Sequence, residues 1–230
     1  MEHGKNTAIV LAAGQGKRMG TDVQKQFLEI RGIPLVCYSL RCFEESPLIQ
    51  EIILVTNEEM IDYCREEIVR KYGFSKVSHI TAGGKERYDS VYRGLLACGS
   101  CNYVFIHDGA RPFITEEILE RGFEAVQKTG ACAVGMPVKD TIKIADAEDF
   151  VSSTPDRRSV WAIQTPQIFD YTLIRKAHEQ MHSQDMGEIT DDAMMIEKAA
   201  GVKVALARGD YRNIKITTPE DLCIAEAFLG

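Results

Sequence analysis

Short continuous apolar runs alternate along the chain with stretches in which apolar residues return about once per helical turn. A strand buried on both faces of a parallel sheet gives the first pattern, and a helix lying on that sheet gives the second. The runs at 8–12, 51–56, 77–81, 103–107, 131–137, 202–205 and 214–217 are predicted strands. Between them, Met60, Ile61, Cys64 and Ile68 share one helical face beyond Asn57, a residue suited to an N-cap. Thr115 precedes Glu116 and Glu117, whose charges favour the positive end of a helix dipole. Thr190 precedes a helix that stops at Gly201, and Thr218-Pro219 supplies a cap and a first-turn proline for the last helix. Such alternation predicts an α/β fold, a mostly parallel sheet flanked by helices. With 230 residues the chain fits one domain, 1–230, and it shows no linker or internal repeat.

One segment, 139–159, departs from the rhythm. It holds Thr141-Ile-Lys-Ile144, a polar stretch at 145–149, Phe150-Val151 and Pro155-Asp-Arg-Arg158. This reads as two strands and a loop, a β-hairpin arm inserted in the α/β body. A lone hairpin cannot bury an apolar face in water, so it packs on a second subunit or back on its own domain. The pattern leaves both open.

Charge narrows the partners. The net charge is −7, so no whole-chain basic field attracts nucleic acid, and any polyanion must find a local cluster of cations. No apolar run is long enough to span a membrane and no leader-like apolar stretch opens the chain, so a soluble cytoplasmic protein is expected. The seven cysteines, an odd number scattered through predicted elements, suit free thiols in a reducing compartment. Cys98-Gly-Ser-Cys101 lacks both the second pair of a zinc ribbon and a thioredoxin-like setting.

The densest candidate chemistry follows the first predicted strand. Gly14, Gly16 and Gly20 interrupt the apolar run, with Lys17 and Arg18 among them and Lys25 just beyond. Glycines let a backbone turn tightly with N–H groups free to face an anion, and three cations would make that loop a receptor for a polyphosphate. It is neither a Walker A loop nor, by one residue, a dinucleotide G-x-G-x-x-G. An ordinary strand-to-helix turn with solvated charges is the other reading. Three more clusters fall at predicted strand ends or within a strand: Ala82-Gly83-Gly84-Lys85-Glu86-Arg87 followed by Asp89-Ser90, His107-Asp108-Gly109-Ala110-Arg111, and Lys215. Asp108 is a hard carboxylate that suits Mg²⁺ beside a polyphosphate, or else a cap or a partner for Arg111. Lys215, flanked by Ile214 and Ile216, alternates to the face opposite them. His178-Glu-Gln-Met-His182 matches the H-E-x-x-H zinc-peptidase pattern. Its sparse apolar stripe places the histidines near solvent and no third histidine follows, so it reads as coincidence. Asp191 and Asp192 read as first-turn helix carboxylates.

Taken together, the motifs resemble a known family. L-A-A-G-x-G-x-R-M-G followed by K-Q-F opens sugar-nucleotide-type nucleotidyltransferases. The further matches run in order: Ala82-Gly-Gly84 with Arg87 and Asp89-Ser-Val91, His107-Asp-Gly-Ala-Arg-Pro112, Asp140-Thr-Ile142, Gln164-Thr-Pro-Gln-x-Phe169, Thr190-Asp-Asp-Ala193 and Asn213-Ile-Lys-Ile-Thr217. Covering essentially the whole chain, they resemble the 2-C-methyl-D-erythritol 4-phosphate cytidylyltransferases of the non-mevalonate isoprenoid pathway. The resemblance implies a Rossmann-like domain with a protruding β-arm that makes a homodimer. It implies that CTP and the sugar-alcohol phosphate give the CDP-alcohol and pyrophosphate, with Mg²⁺. By similarity, Arg18 and Lys25 hold the triphosphate and Lys215 joins them in catalysis. Ala12, Ala13, Gly14, Gly16, Gly84 and Ser90 surround CTP, and Asp108 binds the metal. Arg111, Arg157, Thr165 and Lys215 serve the acceptor phosphate, with Thr141 reaching in from the arm of a second copy. Two departures stand out: Gln24 replaces a usual proline, and Lys85 occupies a position often acidic or small. Asp210 is the candidate for a second metal carboxylate. Ribitol 5-phosphate cytidylyltransferases are the nearest alternative, but they tend to read L-A-G-G and to lack T-D-D-A. A non-catalytic nucleotide-binding protein would have no need of Arg18, Lys25 and Lys215 together.

Overall fold

The computed structural model describes residues 4–14, 24–183 and 188–230. Strand β1 (Asn6–Leu11) is followed by a 3₁₀ turn (Lys25–Phe27), a small ribbon of β2 (Glu29–Ile30) and β3 (Ile33–Pro34), helix α1 (Leu35–Glu45) and β4 (Glu51–Thr56). A helical stretch then changes type, from 3₁₀ (Glu58–Met60) through α2 (Ile61–Tyr63) to π (Cys64–Arg70). Next come β5 (Val77–Ala82), α3 (Arg87–Ala97), β6 (Tyr103–Asp108), α4 (Glu116–Thr129) and β7 (Ala131–Pro137). A hairpin of β8 (Ile144–Ala145) and β9 (Val151–Ser153) precedes the long β10 (Trp161–Asp170). The remaining elements are α5 (Tyr171–Ser183), α6 (Asp192–Ala200), β11 (Ala205–Arg208) and α7 (Pro219–Phe228).

Seven strands form one sheet in the order β11-β7-β10-β6-β1-β4-β5. All neighbours are parallel except β10, which runs antiparallel between β6 and β7. The predicted two-sided burial is explicit in β1 and β4. Ala8, Val10, Ile52 and Leu54 face a core with α1, α4 and Cys64 and Ile68 of the π-helical stretch, while Ile9, Leu11, Ile53 and Val55 face α3, α5 and α6. Each face of these strands meets a cluster of buried apolar side chains, which gives each strand the continuous apolar reading seen in sequence.

Several element boundaries differ from the expectations. The strand β10 carries Gln164-Thr-Pro-Gln167 inside the sheet, where its polar and proline content hid it; the register shifts between Ile163 and Gln167. The strand expected at 202–205 is β11, three residues later, because Gly201 closes α6 in the left-handed region (φ 61°) and the chain must first cross back to the sheet. Residues 214–217 form no strand and pair in no sheet; the Ile216 N–H donates to the Ala110 carbonyl at 2.9 Å. Asn57 and Thr115 occupy helix-start positions without side-chain caps, whereas Thr218 and Asp221 form the full capping box expected of the last helix. On α5, His178 is buried and stacks on Tyr92 with ring centroids 5.9 Å apart, rather than standing near solvent. All seven cysteines are free thiols. Among the described residues no helix is long and apolar enough to cross a membrane.

The hairpin gathers three exposed apolar side chains in one short segment. Its turn is built by Asp146, whose Oδ1 accepts the N–H groups of Glu148 and Phe150, and by Asp149 at φ 64°. Ile144, Phe150 and Val151 are 51%, 68% and 59% exposed, so the arm buries little of its apolar surface on its own domain.

Candidate active site

The sheet reverses its winding at β1. From β1 the chain steps outward to β4 and β5, then returns to place β6 on β1's other side. Loops leaving the carboxyl ends of such strands diverge and open a crevice, the usual ligand position in an open α/β sheet. A cavity of about 460 Å³ lies there. Ala13 and Gly14 after β1, Asn57 after β4, Gly84 to Arg87 after β5, and Asp108 and Ala110 at the end of β6 line it, together with Lys25, Gln26 and Lys215. This volume lies within the range of small-molecule sites. Among the lining side chains the cations Lys25, Lys85, Arg87 and Lys215 outnumber the anions Glu86 and Asp108, which suits a polyanion.

The β5–α3 turn is shaped by close contacts. Ser90 Oγ accepts the Gly84 N–H at 3.1 Å and donates to the Glu86 carbonyl at 3.2 Å, holding the turn onto the first helical residues. A Cβ on Gly84 would stand 2.2 Å from Asp89 Cβ, so only glycine lets the turn lie this close to α3. Glu86 and Asp89 close a reciprocal capping box at the same helix start.

Asp108 is the electrostatic centre. Its Oδ2 lies 2.6 Å from Lys215 Nζ and its Oδ1 3.3 Å from Arg87 Nε. Burial by itself would raise this carboxyl's pKa, but the charges of Arg87, Lys215 and Arg111 hold it well below the usual carboxylate range. The group is therefore an ionised, largely buried carboxylate at neutral pH. Arg87 also reaches Asp192 Oδ2 at 2.8 Å, and Asp192 is 1% exposed. Burial pushes the Asp192 carboxyl up while Arg87 pulls it the other way. The helix that carries Asp192 is pinned in turn. Asp191 Oδ1 caps the Met194 N–H, Gln167 Nε2 donates to Asp191 Oδ2, and Gln167 Oε1 accepts the Ala193 N–H.

Beneath Asp108 runs a buried polar chain. The Asp108 N–H donates to Thr165 Oγ1 at 3.0 Å, and that hydroxyl lies 3.0 Å from His107 Nδ1. His107 Nε2 faces the Arg111 carbonyl at 3.2 Å, which can only accept, so the network assigns the proton to Nε2 and the lone pair to Nδ1. Burial lowers the His107 pKa to about 4, consistent with this neutral tautomer. Arg111 Nη1 donates to the Asn213 carbonyl, and Asn213 Nδ2 to the Thr165 carbonyl, which ties the Lys215 segment to β10. Arg111 Nε is buried with no hydrogen-bond partner among the described residues.

Of the residues singled out in sequence, Ala13, Gly14, Lys25, Gly84, Ser90, Asp108 and Lys215 line this cavity together. Ala12 is buried behind it, and Thr165 and Arg111 support it from below. Thr141 and Arg157 are exposed beside the arm, with Arg157 Nη1 on the Lys139 carbonyl. Gly16 and Arg18 lie outside the described residues. Asp210 does not line the cavity and caps the Arg212 N–H. Sequence reasoning gave Arg87 no role and read Asp192 only as a first-turn helix carboxylate. Asp192 does stand in the first turn of α6, and it is also a buried ion-pair partner of the site.

Among the described residues no cluster of three or more His, Cys, Asp or Glu could cage a metal. Asp108, at the end of β6, supplies a hard carboxylate oxygen, which fits Mg²⁺, an ion commonly held by one or two carboxylates plus substrate phosphates and water.

Comparison with known proteins agrees over nearly the full length. Residues 6–230 match the sequence profile of the 2-C-methyl-D-erythritol 4-phosphate cytidylyltransferase family. Proteins of that name from Lachnospira eligens and Clostridium perfringens are each 49% identical, over 97% and 98% of this chain and 99% of theirs. The crystal structure of 4-diphosphocytidyl-2C-methyl-D-erythritol synthase from Anaerococcus prevotii superposes with a TM-score of 0.87 at 35% identity, covering 98% of this chain and 96% of that one. A cytidylyltransferase structure from Thermus thermophilus gives 0.77 at 31% identity over 96% and 97%. With its glycine-flanked cavity, its Asp108–Lys215–Arg87 array and this full-length match, the chain belongs to the 2-C-methyl-D-erythritol 4-phosphate cytidylyltransferase family.

Proposed function

We propose that this enzyme joins CTP to 2-C-methyl-D-erythritol 4-phosphate, giving 4-CDP-2-C-methyl-D-erythritol and pyrophosphate. The observation that carries the reading is the cation-rich cavity at the β1 reversal, floored by an ionised Asp108 between Lys215 and Arg87, in a chain of this family. The acceptor phosphate is already an oxyanion near neutral pH, so the attack needs no general base. An acceptor oxygen forms a bond to the α-phosphorus of CTP in line with the departing bridge oxygen, whose bond to that phosphorus breaks and whose electrons leave with pyrophosphate.

The work left to the protein is bringing two polyanions together and stabilising charge on the attacked phosphorus, which fixed cations do by positioning and electrostatics. Lys25 and Arg18 are assigned to the triphosphate, and the Ala12-Ala13-Gly14 backbone, Gly16, Gly84 and Ser90 to the nucleotide's surroundings. Lys215, Arg111, Thr165 and Arg157 are assigned to the acceptor phosphate. Asp108 would hold Mg²⁺, which when bound supplies charge neutralisation at the phosphates. The protein is read as a cytoplasmic homodimer. The exposed apolar arm supports a dimer in which Thr141 of each copy serves the other's site. The displacement predicts inversion at phosphorus. CTP carrying sulfur at the α-phosphate in one configuration should give product of the opposite configuration, whereas retention would point to a covalent nucleotidyl-enzyme and overturn the single displacement.

A further inference from the structure

Gln26 sits between Lys25, which lines the cavity, and Phe27 in the core, and only 3% of it is exposed. Its side-chain amide lies against the Gly14 peptide. With the amide oriented so that each donor meets an acceptor, Nε2 donates to the Gly14 carbonyl at 3.1 Å and Oε1 accepts the Gly14 N–H at 3.2 Å. One side chain thus satisfies both backbone groups of a distant residue, as a neighbouring strand would. The fit requires a bare α-carbon, since a Cβ at position 14 would stand 2.8 Å from the amide atom that faces the Gly14 N–H, which is Oε1 in this orientation. The other end is equally fixed. The Phe27 N–H closes a turn onto the Gln24 carbonyl at 2.9 Å, and its ring packs edge-on against Tyr63 with centroids 5.4 Å apart.

We infer that Gln26 is a positioning residue for the transfer: its amide clasps the Gly14 peptide and thereby sets the adjacent Lys25 against the nucleotide's phosphates. The role rests on the proposed assignment of Lys25 to the triphosphate. The residue type follows from the geometry. A glutamate could accept the Gly14 N–H but would set a charged oxygen against the Gly14 carbonyl, and an asparagine is one methylene too short to reach. The clasp also reassigns Gly14. Its N–H is committed to Gln26, so the phosphates are met by cationic side chains and not by this amide.

Gln26→Glu, which keeps the shape, and Gln26→Ala test the role in steady-state kinetics and in backbone hydrogen exchange. Both variants are expected to lose about a hundredfold in kcat, the scale of an ångström of misplacement. KM for the acceptor should stay unchanged, and the Gly14 amide should lose its exchange protection. Wild-type kcat in either variant, a loss carried by the acceptor's KM, or retained protection at Gly14 would each overturn the inference. Should the wild-type protein transfer no cytidylyl group while Gln26→Ala still exposes the Gly14 amide, the contact stands and the reading of the reaction is what fails.

Discussion

Asp108 and Lys215 were legible as single residues because each carries unusual chemistry for its place, a carboxylate at a strand end and a lysine between two isoleucines. Arg87 and Asp192 were not. Their meaning lies in a 2.8 Å pairing between α3 and α6, helices far apart in sequence, and nothing in a local window shows that the first-turn carboxylate Asp192 is also buried and paired. Gly14 was read as freeing an N–H for an anion, yet its backbone is occupied by Gln26 and its lack of a side chain serves that approach. A buried charge away from the site yields a pH prediction. Glu51 accepts from Lys5 at 2.8 Å, Thr7 at 3.1 Å and Ser78 at 2.8 Å. Burial works to raise its pKa, but these hydrogen bonds and the Lys5 charge outweigh it and hold the pKa below the ordinary value. A carboxyl depressed in the folded state adds stability that is present above its unfolded pKa of about 4.3 and is lost as pH falls through the folded value. Denaturant titrations should therefore show wild type losing stability more steeply than Glu51→Gln on acidification below about pH 4.3. Parallel pH profiles would contradict this.

Among elements, strands that are apolar throughout declared themselves and β10 did not. Its central residues trade apolar character for Gln164, Thr165 and Gln167, which bind Asn213, Asp108 and the start of α6. The strand that holds the site together is the one whose sequence looks least like a strand. Helix α3, which presents Arg87 and Ser90 to the cavity, approaches β1 through Gly94. An added Cβ there would lie 2.7 Å from Ile9 Cγ2 and 3.2 Å from Val55 Cγ2, both fully buried side chains. Alanine gains about 1 kcal/mol of helix propensity over glycine. Overpacking a closed core costs about 1–3 kcal/mol, and Ile9 and Val55 have nowhere to withdraw. Gly94→Ala should thus lower unfolding free energy by about 1 kcal/mol in urea titration. A stabilised variant would show that α3 can shift away from the sheet freely.

For the whole molecule, the sequence pattern conveyed the α/β layering and the arm, but not whether the arm folds back. The 68% exposure of Phe150 answers the second question within one chain: the arm's apolar face is not covered by its own domain. In sedimentation velocity the wild type should run as a dimer and the double variant Phe150→Asp/Val151→Asp as a folded monomer with diminished activity. A monomeric wild type, or a dimer untouched by the double change, would contradict the arm's assigned role. The central claim concerns the reaction, and the most direct test is pyrophosphate release from CTP and Mg²⁺ with 2-C-methyl-D-erythritol 4-phosphate or ribitol 5-phosphate offered separately. The account predicts release with the first acceptor only, falling on the order of a hundredfold, about 3 kcal/mol, in Lys25→Ala and in Lys215→Ala. Release with ribitol 5-phosphate alone, or none with either acceptor from folded protein that binds CTP, would contradict it.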